Sequence, residues 1–456
     1  MHPTVVLNVV GLTRALMGAD TPHLNALVAD GGCAPIRAIT PAVTCSAQAT
    51  FLTGTLPREH GIVGNGWYFR DLAQVMFWKQ ANQLVHGEKV WETARRRDPS
   101  CTCAKMFWWF NMYSSADWAV TPRPIYPADG RKIPDIYSQP SNLRDRLNAE
   151  LGAFPLFNFW GPTADITSSQ WIADASVRVD TWFSPTLLLV YLPHLDYNLQ
   201  RFGASDPRIK ADVRAIDAVC GQLIAHCRAR GRRVVVLSEY GLVDVSGPVH
   251  INRVLREAGL LAVREELGLE SLDAGSSEAF AVSDHQVAHV YVRDAARIAD
   301  VKSLLERVPG IDLVLDRQGQ AGIGLDHERS GELVAISSRD RWFTYYYWLD
   351  DRLAPDFART VDIHRKPGYD PVELFLDPAL RLPQVKVAAT LAKKALGFRY
   401  LMDVIPLDAA LVRGSHGRVT DNLDDGPVCI SSEKGMIDGP IESTAVRDLM
   451  LAHLFA

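Results

Sequence analysis

Long apolar runs are missing from this chain of 456 residues. The longest, LLLVYL at 187–192, has the length of a strand and is far shorter than the roughly 18 residues that a membrane span needs. The first strand-like run begins at Thr4, which leaves no room for the regions of a secretory signal. We therefore expect neither a membrane span nor a secretory signal.

Cysteine is scarce, and its count of seven is odd. A disulfide framework would need more cysteines in pairs, so this usage favours a reducing, cytoplasmic location. Cys101 and Cys103 form a CTC motif without a second pair at zinc-finger spacing, which favours a structural role for both.

An excess of basic charge is also absent, because the net charge is -5 and the sequence pI is about 6.2. Nucleic acids and anionic membranes usually select clustered Lys and Arg, so we expect neither a nucleic-acid polymer nor a membrane as partner. A small-molecule substrate fits better, and a homo-oligomer stays open. The 47% apolar content allows a large core, and the length suggests roughly two or three domains.

Three short runs that are present, at 5–10, 187–192 and 234–239, are apolar throughout. Continuous apolar runs are typical of parallel strands covered on both faces. Between the last two, residues 207–231 carry apolar positions at helical spacing and end at Gly231, a helix stop signal. The sequence therefore predicts an α/β sheet with crossover helices.

A change of pattern follows about residue 260. Residues 287–316 predict strand, helix and strand, and 331–337 predict a further strand. We interpret 260–345 as a smaller α+β cap inserted into a core formed by 1–259 and 346–456.

Polar residues follow the predicted parallel strands. Asp196 follows the second strand and Glu239 ends the third, while the first strand carries Asn8. The carboxyl ends of parallel strands share one edge of a sheet, where ligands collect. Two carboxylates are therefore expected at one rim.

Two further residues have both a functional and a structural interpretation. Thr44 precedes a helix-like run, where exposed N–H groups favour an alkoxide or a phosphate oxygen, but threonine is also a common helix cap. His416 lies between glycines in GSHG. It is either a metal ligand or a solvated loop residue.

Four motifs together resemble the alkaline phosphatase superfamily, in its nucleotide pyrophosphatase/phosphodiesterase-like branch. They are PAVTCSAQATFLTGTLPREHGIVGN at 41–65, DYNLQ at 196–200, SEYG at 238–241 and GSHG at 414–417. The resemblance covers roughly 1–255 and 355–425. It implies an alkaline-phosphatase-like sheet sandwiched between helices, with a cap.

The resemblance also implies a chemistry. Thr44 would be the nucleophile that takes the phosphoryl group, and Asn65 would donate to a phosphoryl oxygen. The expected activity is metal-dependent hydrolysis of a phosphodiester, phosphomonoester or phosphonate through a phosphothreonine intermediate. The expected cofactor is one or two divalent ions, Zn or alternatively Mn or Fe, and the substrate is a small phosphorylated molecule.

Several positions depart from the family pattern. Val10 stands where the family has Asp, Gln200 and Tyr240 stand where it has His, and Glu239 replaces Asp. Asp196 and His416 are retained.

One hypothesis is a rebuilt metal site, in which Asp362 and His364 of VDIHRKPGYDP join Asp196, Glu239 and His416. The alternative is that VDIHRKPGYDP is a rigid turn with salt bridges around Lys366 and Asp370.

Other interpretations stay open. The chain could be a phosphoryl mutase or transferase, or a degenerate member that binds a phosphorylated metabolite or a partner protein. Trp67 and Tyr68 adjoin Asn65 and are candidate walls of the substrate pocket. His285, His289 and His327 are left open between structural and ligand roles.

Overall fold

The computed structural model describes residues 1–128, 131–398 and 400–456. The strands β1 to β21 are, in chain order, Thr4–Val9, Gly32–Arg37, Gly66–Phe69, Gln74–Phe77, Cys103–Met106, Trp118–Pro122, Ile136–Gln139, Leu187–Leu192, Arg233–Leu237, Val243–Asp244, Gly247–Val249, Val263–Glu266, Leu269–Leu272, Ala279–Asp284, Val287–Val292, Ile311–Leu315, Leu333–Ser337, Arg341–Phe343, Gly414–Ser415, Val428–Ser431 and Ile441–Glu442. The helices α1 to α14 are Pro22–Asp30, Thr44–Thr53, Pro57–His60, Val90–Arg97, Asn142–Leu151, Leu156–Phe159, Ile166–Phe183, His194–Phe202, Ile209–Ala229, Ile251–Glu257, Ile298–Leu305, Arg317–Gly322, Pro383–Ala395 and Val446–Phe455.

Within these residues a large mixed sheet has the strand order β21-β2-β20-β9-β1-β8-β5-β6-β7. β1 lies between β8 and β9 and pairs with both in parallel. All residues of β1 and β8 are buried, as their continuous apolar sequences require. The predicted strands at 5–10, 187–192 and 234–239 are therefore confirmed, as is the predicted helix, which forms α9.

Helices flank this sheet in two groups. α7 and α9 pack on each other and on β8 and β9, whereas α14 contacts α2, α4 and β1. The main apolar core lies between these helices and the central strands. The predicted fold, a sheet sandwiched between helices, is confirmed.

A second, antiparallel sheet has the order β14-β15-β17-β16. It packs with α10, α11 and the aromatic stretch 342–348 into a separate apolar cluster. These strands lie within the predicted insertion at 260–345, and the division into core and cap stays a prediction. None of the helices described here is long and apolar enough to cross a membrane.

Candidate active site

Thr44 is the first residue of α2, which follows β2 and begins at the rim of the central sheet. Val43 occupies the N-cap position, and within the described structure its side chain makes no capping hydrogen bond. Thr44 is only 3% exposed, and its Oγ1 lies 3.2 Å from the hydroxyl of Tyr240. The helix-cap interpretation of Thr44 is therefore wrong, because Val43 occupies the N-cap position and Thr44 is the first helical residue.

Tyr240 connects Thr44 to a buried carboxylate. Its hydroxyl donates to Asp196 Oδ1 at 3.3 Å, so the Thr44 hydroxyl is left to donate to the Tyr240 oxygen. Gln200 Nε2 donates to Asp196 Oδ2 at 2.7 Å. Burial raises the pKa of Asp196 to about 7, although these two hydrogen bonds oppose the rise. Asp196 can therefore exchange a proton near neutral pH.

Glu239 is a second buried carboxylate beside Thr44. Its Oε1 accepts hydrogen bonds from Asn8 Nδ2 at 2.6 Å and from Gln48 Nε2 at 2.5 Å. Burial raises its pKa to about 8, while the hydrogen bonds from Gln48 and Asn8 oppose the rise. Since Glu239 directly follows Ser238 at the end of β9, the predicted meeting of two carboxylates at one rim is observed.

Stacked rings close the other side of the site. The imidazole of His416 stacks on Tyr240 at 3.6 Å between ring centroids, and His285 stacks on Tyr369 at 3.7 Å. The ring centroids of His285 and His416 are 3.6 Å apart. Burial lowers the pKa of His416 to about 3, so this ring is neutral at ordinary pH. His416 Nδ1 lies 2.8 Å from the Ala42 carbonyl oxygen, which can only accept a hydrogen bond, so Nδ1 carries the proton of the neutral ring. Nε2 is therefore unprotonated, and it lies 3.8 Å from Asp196 Oδ1.

Asn65 joins the start of α2 to the second sheet. Its Oδ1 accepts from the Cys45 N–H at 3.0 Å, and its Nδ2 donates to Asp284 Oδ1 at 3.0 Å. The Asn65 N–H also donates to Asp284 Oδ2 at 2.7 Å. The structure thus places Asn65 next to Thr44, as predicted, but with one amide N–H engaged by a carboxylate.

The expected metal ions do not fit these donors. Both oxygens of Asp196 and one of Glu239 already accept hydrogen bonds from amide or phenol groups. Across the part of the chain that the structure describes, no group of three or more His, Cys, Asp or Glu side chains could hold a metal ion. Neutral donors at Asn8, Gln48, Gln200 and Tyr240 therefore surround the carboxylates that a pair of cations would otherwise neutralise.

Asp362 and His364 do not join the site. Among residues 1–128, 131–398 and 400–456, neither forms a hydrogen bond or ion pair with Asp196, Glu239 or His416. The Asp362 N–H donates to Glu373 Oε1 at 2.9 Å, which ties this turn to its own cluster.

That cluster is centred on Lys366, whose Nζ lies 2.7 Å from Asp370 Oδ2 and 2.8 Å from Glu373 Oε1. All three side chains are buried. The alternative interpretation of VDIHRKPGYDP, a turn with salt bridges around Lys366 and Asp370, matches this geometry.

The other sequence candidates contact side chains or backbone atoms outside the Thr44 site, and the role of Trp67 and Tyr68 as pocket walls stays a prediction. Trp67 is buried and stacks on Phe69 at 5.0 Å, and Tyr68 packs edge-on against Phe280 at 5.0 Å. His289 bonds Val63 O through Nε2 and accepts the Gly331 N–H at Nδ1. His327 Nδ1 accepts the Arg329 N–H within its own turn.

Two contributors escaped the sequence interpretation: Gln48 and Tyr369. Gln48 lies one turn after Thr44 on α2, a spacing that places both side chains on one face. That spacing is a usable signal. Tyr369 donates to Gln200 Oε1 at 3.0 Å across 169 positions, and no local pattern predicts such a contact.

Comparison with known proteins finds a family and several relatives to which this chain is similar. A profile of the family described as type I phosphodiesterase / nucleotide pyrophosphatase matches residues 4–370. An uncharacterized pyrophosphatase/phosphodiesterase of Schizosaccharomyces pombe (strain 972 / ATCC 24843) is 25% identical over 217 residues, which are 45% of this chain and 37% of that protein. The chain therefore matches about a third of the length of this curated relative.

Solved structures share the fold at low sequence identity. Phosphonoacetate hydrolase from Sinorhizobium meliloti 1021, in complex with phosphonoformate, has a TM-score of 0.63 at 14% identity, covering 99% of this chain and 96% of that one. Murine ectonucleotide pyrophosphatase / phosphodiesterase 5, an inactive form in complex with AMP, has a TM-score of 0.58 at 14% identity, covering 100% and 95%.

Proposed function

This chain belongs to the type I phosphodiesterase / nucleotide pyrophosphatase family, and on that premise we propose that it hydrolyses a small phosphodiester, phosphomonoester or phosphonate with Thr44 as nucleophile. The observation that carries this function is the chain of hydroxyls from Thr44 through Tyr240 to Asp196, with contacts of 3.2 and 3.3 Å. A positioned base within reach is what a weak hydroxyl nucleophile requires.

The proposed reaction has two steps. Thr44 Oγ1 bonds to phosphorus while the bond from phosphorus to the leaving group breaks. The Thr44 proton passes to the Tyr240 oxygen as the Tyr240 proton passes to Asp196 Oδ1. The leaving group departs with the bonding electron pair. Water then attacks the phosphothreonine, the departing Thr44 oxygen regains its proton from Asp196 through Tyr240, and the proton that the water gives up neutralises the released leaving group.

The pKa of Asp196 suits this role. Because burial raises it to about 7, the carboxylate is a stronger base than an ordinary aspartate and is still partly ionised at neutral pH. The start of α2 adds its helix dipole, which favours negative charge on the Thr44 oxygen and on a phosphoryl group.

Metal dependence is general in this family, and the sequence predicts one or two ions here. No step above uses a metal, because the donors at Asp196 and Glu239 do not fit a metal pair. The choice of zinc and the cytoplasmic location stay predictions of the sequence.

A second function is favoured by the burial of the site. Thr44, Glu239 and His416 are 3%, 1% and 1% exposed, and Asp196 is 8% exposed. A site this closed suits a family member that has lost turnover and binds a phosphorylated metabolite or a partner.

Turnover of activated phosphodiesters, phosphomonoesters and phosphonates by the wild-type chain separates the two functions. Thr44→Ala should abolish turnover, Thr44→Ser should retain part of it, and mass spectrometry of a quenched reaction should find a phosphoryl group on Thr44. Unimpaired turnover by a folded Thr44→Ala protein would exclude Thr44 as the nucleophile. A wild type that turns over none of these substrates would favour the binding function.

A further inference from the structure

The outward face of α13 is apolar. A surface helix normally buries its apolar stripe and exposes its polar face. In α13 the half-buried Val387 packs against the second apolar cluster and Thr390 is buried, so these residues mark the inward side. Val385 and Leu391 are 59% and 47% exposed. The helix therefore presents apolar side chains to solvent.

Helical spacing assembles these side chains into one surface. Val385, Ala388, Ala389, Ala392 and Leu396 recur at intervals of one, three or four residues, and all five are exposed. At 100° per residue they lie opposite Val387 and Thr390.

Larger apolar residues extend this surface at both ends of the helix. Leu382 precedes it at 67% exposure, and Leu396, Phe398 and Leu401 follow at 73%, 65% and 48%. Contiguous exposed apolar surface of this kind marks interaction sites.

The same segment is strongly basic. Residues 378–402, here called the basic segment, contain Arg381, Lys386, Lys393, Lys394 and Arg399 and no Asp or Glu, although the whole chain has a net charge of -5. Lys386 pairs with Asp403 at 2.9 Å. Within the described ranges, Arg381 and Lys393 form no salt bridge, so their charges are available to a partner.

We propose that the basic segment docks this protein on an anionic lipid surface. An exposed apolar face flanked by Lys and Arg is the pattern of helices that lie in the membrane interface, where side chains enter the acyl boundary and cations meet acidic headgroups. The 13-residue helix rises roughly 20 Å, less than the roughly 30 Å of a hydrocarbon core, so it would lie flat.

A lipid surface fits better than an acidic protein. Between its bulky ends the exposed face is mostly alanine, which gives a smooth surface without side chains that could anchor in a specific pocket. Lipid needs no shape match, and only the sign of its charge must complement the segment. This docking does not depend on the proposed hydrolysis.

The experiment is co-sedimentation of the full chain with vesicles of phosphatidylcholine alone or mixed with phosphatidylglycerol. We expect binding to the mixed vesicles only, weakened by added salt. The double variant Leu396→Ser/Phe398→Ser should reduce partitioning on the order of tenfold or more, and Lys393→Glu should reduce it less. The matched control is Leu267→Ser, which removes a fully exposed leucine from the β12–β13 turn and should bind like wild type.

Three results would overturn the proposal. They are absence of wild-type binding to mixed vesicles, equal binding to neutral vesicles, and unchanged binding by the double variant with a wild-type unfolding curve. A self-association in analytical ultracentrifugation that the double variant abolishes, without vesicle binding, would assign the face to a second copy of this chain instead.

Discussion

Buried carboxylates are compensated in two different ways in this molecule. At the site, Asp196 and Glu239 face neutral amide and phenol donors, and their pKa values rise to about 7 and about 8. At Lys366, two carboxylates face a buried cation, and they outweigh the effect of burial and raise the lysine pKa. Neutral donors leave Asp196 and Glu239 without a charge partner, whereas at Lys366 a buried cation lies beside the carboxylates and opposes the rise that burial causes in the pKa of Asp370. The first arrangement suits chemistry and the second suits structure.

The largest effect is expected from a substitution that disrupts the Lys366 cluster. Lys366→Met leaves Asp370 and Glu373 buried without a cation, which should lower the free energy of unfolding by about 3–5 kcal/mol. Lys302→Met is the control, because Lys302 also lies 2.8 Å from a carboxylate, Asp316, but both side chains are partly exposed. We expect it to cost less than about 1 kcal/mol. Equal losses in urea denaturation would refute the structural role of Lys366.

The next effect breaks the hydroxyl chain at the site. Tyr240→Phe removes the group between Thr44 and Asp196 and should lower kcat on the order of 10²-fold or more. Tyr369→Phe removes a hydroxyl that, within the described part of the chain, bonds Gln200 alone, one residue further from Thr44. This change should lower kcat less than about tenfold. Tyr240→Phe protein with kcat near wild type would remove Tyr240 from the proton path.

The sequence predicted the strands that carry the site, and the two carboxylates that follow those strands, well. Continuous apolar runs identified the parallel strands, and residues after them identified Asp196 and Glu239. Gln200 and Tyr240 differ from the family pattern, which predicted an altered site. Only the fold shows that these two side chains donate hydrogen bonds to Asp196. Asn8 reaches Glu239 across 231 positions, and such a contact follows from strand order rather than from local pattern.

Two sequence expectations differ from the geometry or from the docking proposed above. Asp362 and His364 were expected near His416, but Glu373 holds the Asp362 backbone in the Lys366 cluster. A net charge of -5 led to the expectation of no anionic membrane partner, yet a whole-chain sum hides the five cations of the basic segment. The local distribution of charge, rather than its total, underlies the proposed docking.

A smaller effect concerns pH. The pKa values of Asp196 and Glu239 lie above the ordinary carboxyl values near 4, so between pH 5 and 8 these two groups bind more protons in the native state than in the unfolded chain. Their contribution to the free energy of unfolding should therefore fall as pH rises through this range, while buried histidines with lowered pKa values, such as His416, contribute in the opposite sense at the acidic end of the range.

Glu239→Gln keeps the shape of the side chain without its charge. It should reduce the decrease in the free energy of unfolding between pH 5 and 8 by about 1 kcal/mol or more, as measured by urea denaturation at several pH values. Asp206→Asn is the control. Arg208 holds the pKa of Asp206 at about 2, outside this range, so the slope should not change. An unflattened slope in Glu239→Gln would mean that this carboxyl does not titrate near neutral pH.

The smallest effect is expected when a metal ion is added to the wild-type protein or removed from it. Because amide and phenol groups already donate to Asp196 and Glu239, added Zn²⁺ or a chelator should leave the thermal unfolding midpoint of the wild type unchanged, and purified protein should carry metal below stoichiometry. Gln200→His/Tyr240→His replaces both donors to Asp196 by imidazoles beside His416, so this variant should gain a zinc-dependent rise in midpoint. Stoichiometric metal in the wild type, removed by the chelator with loss of stability, would show that cations compensate these carboxylates after all.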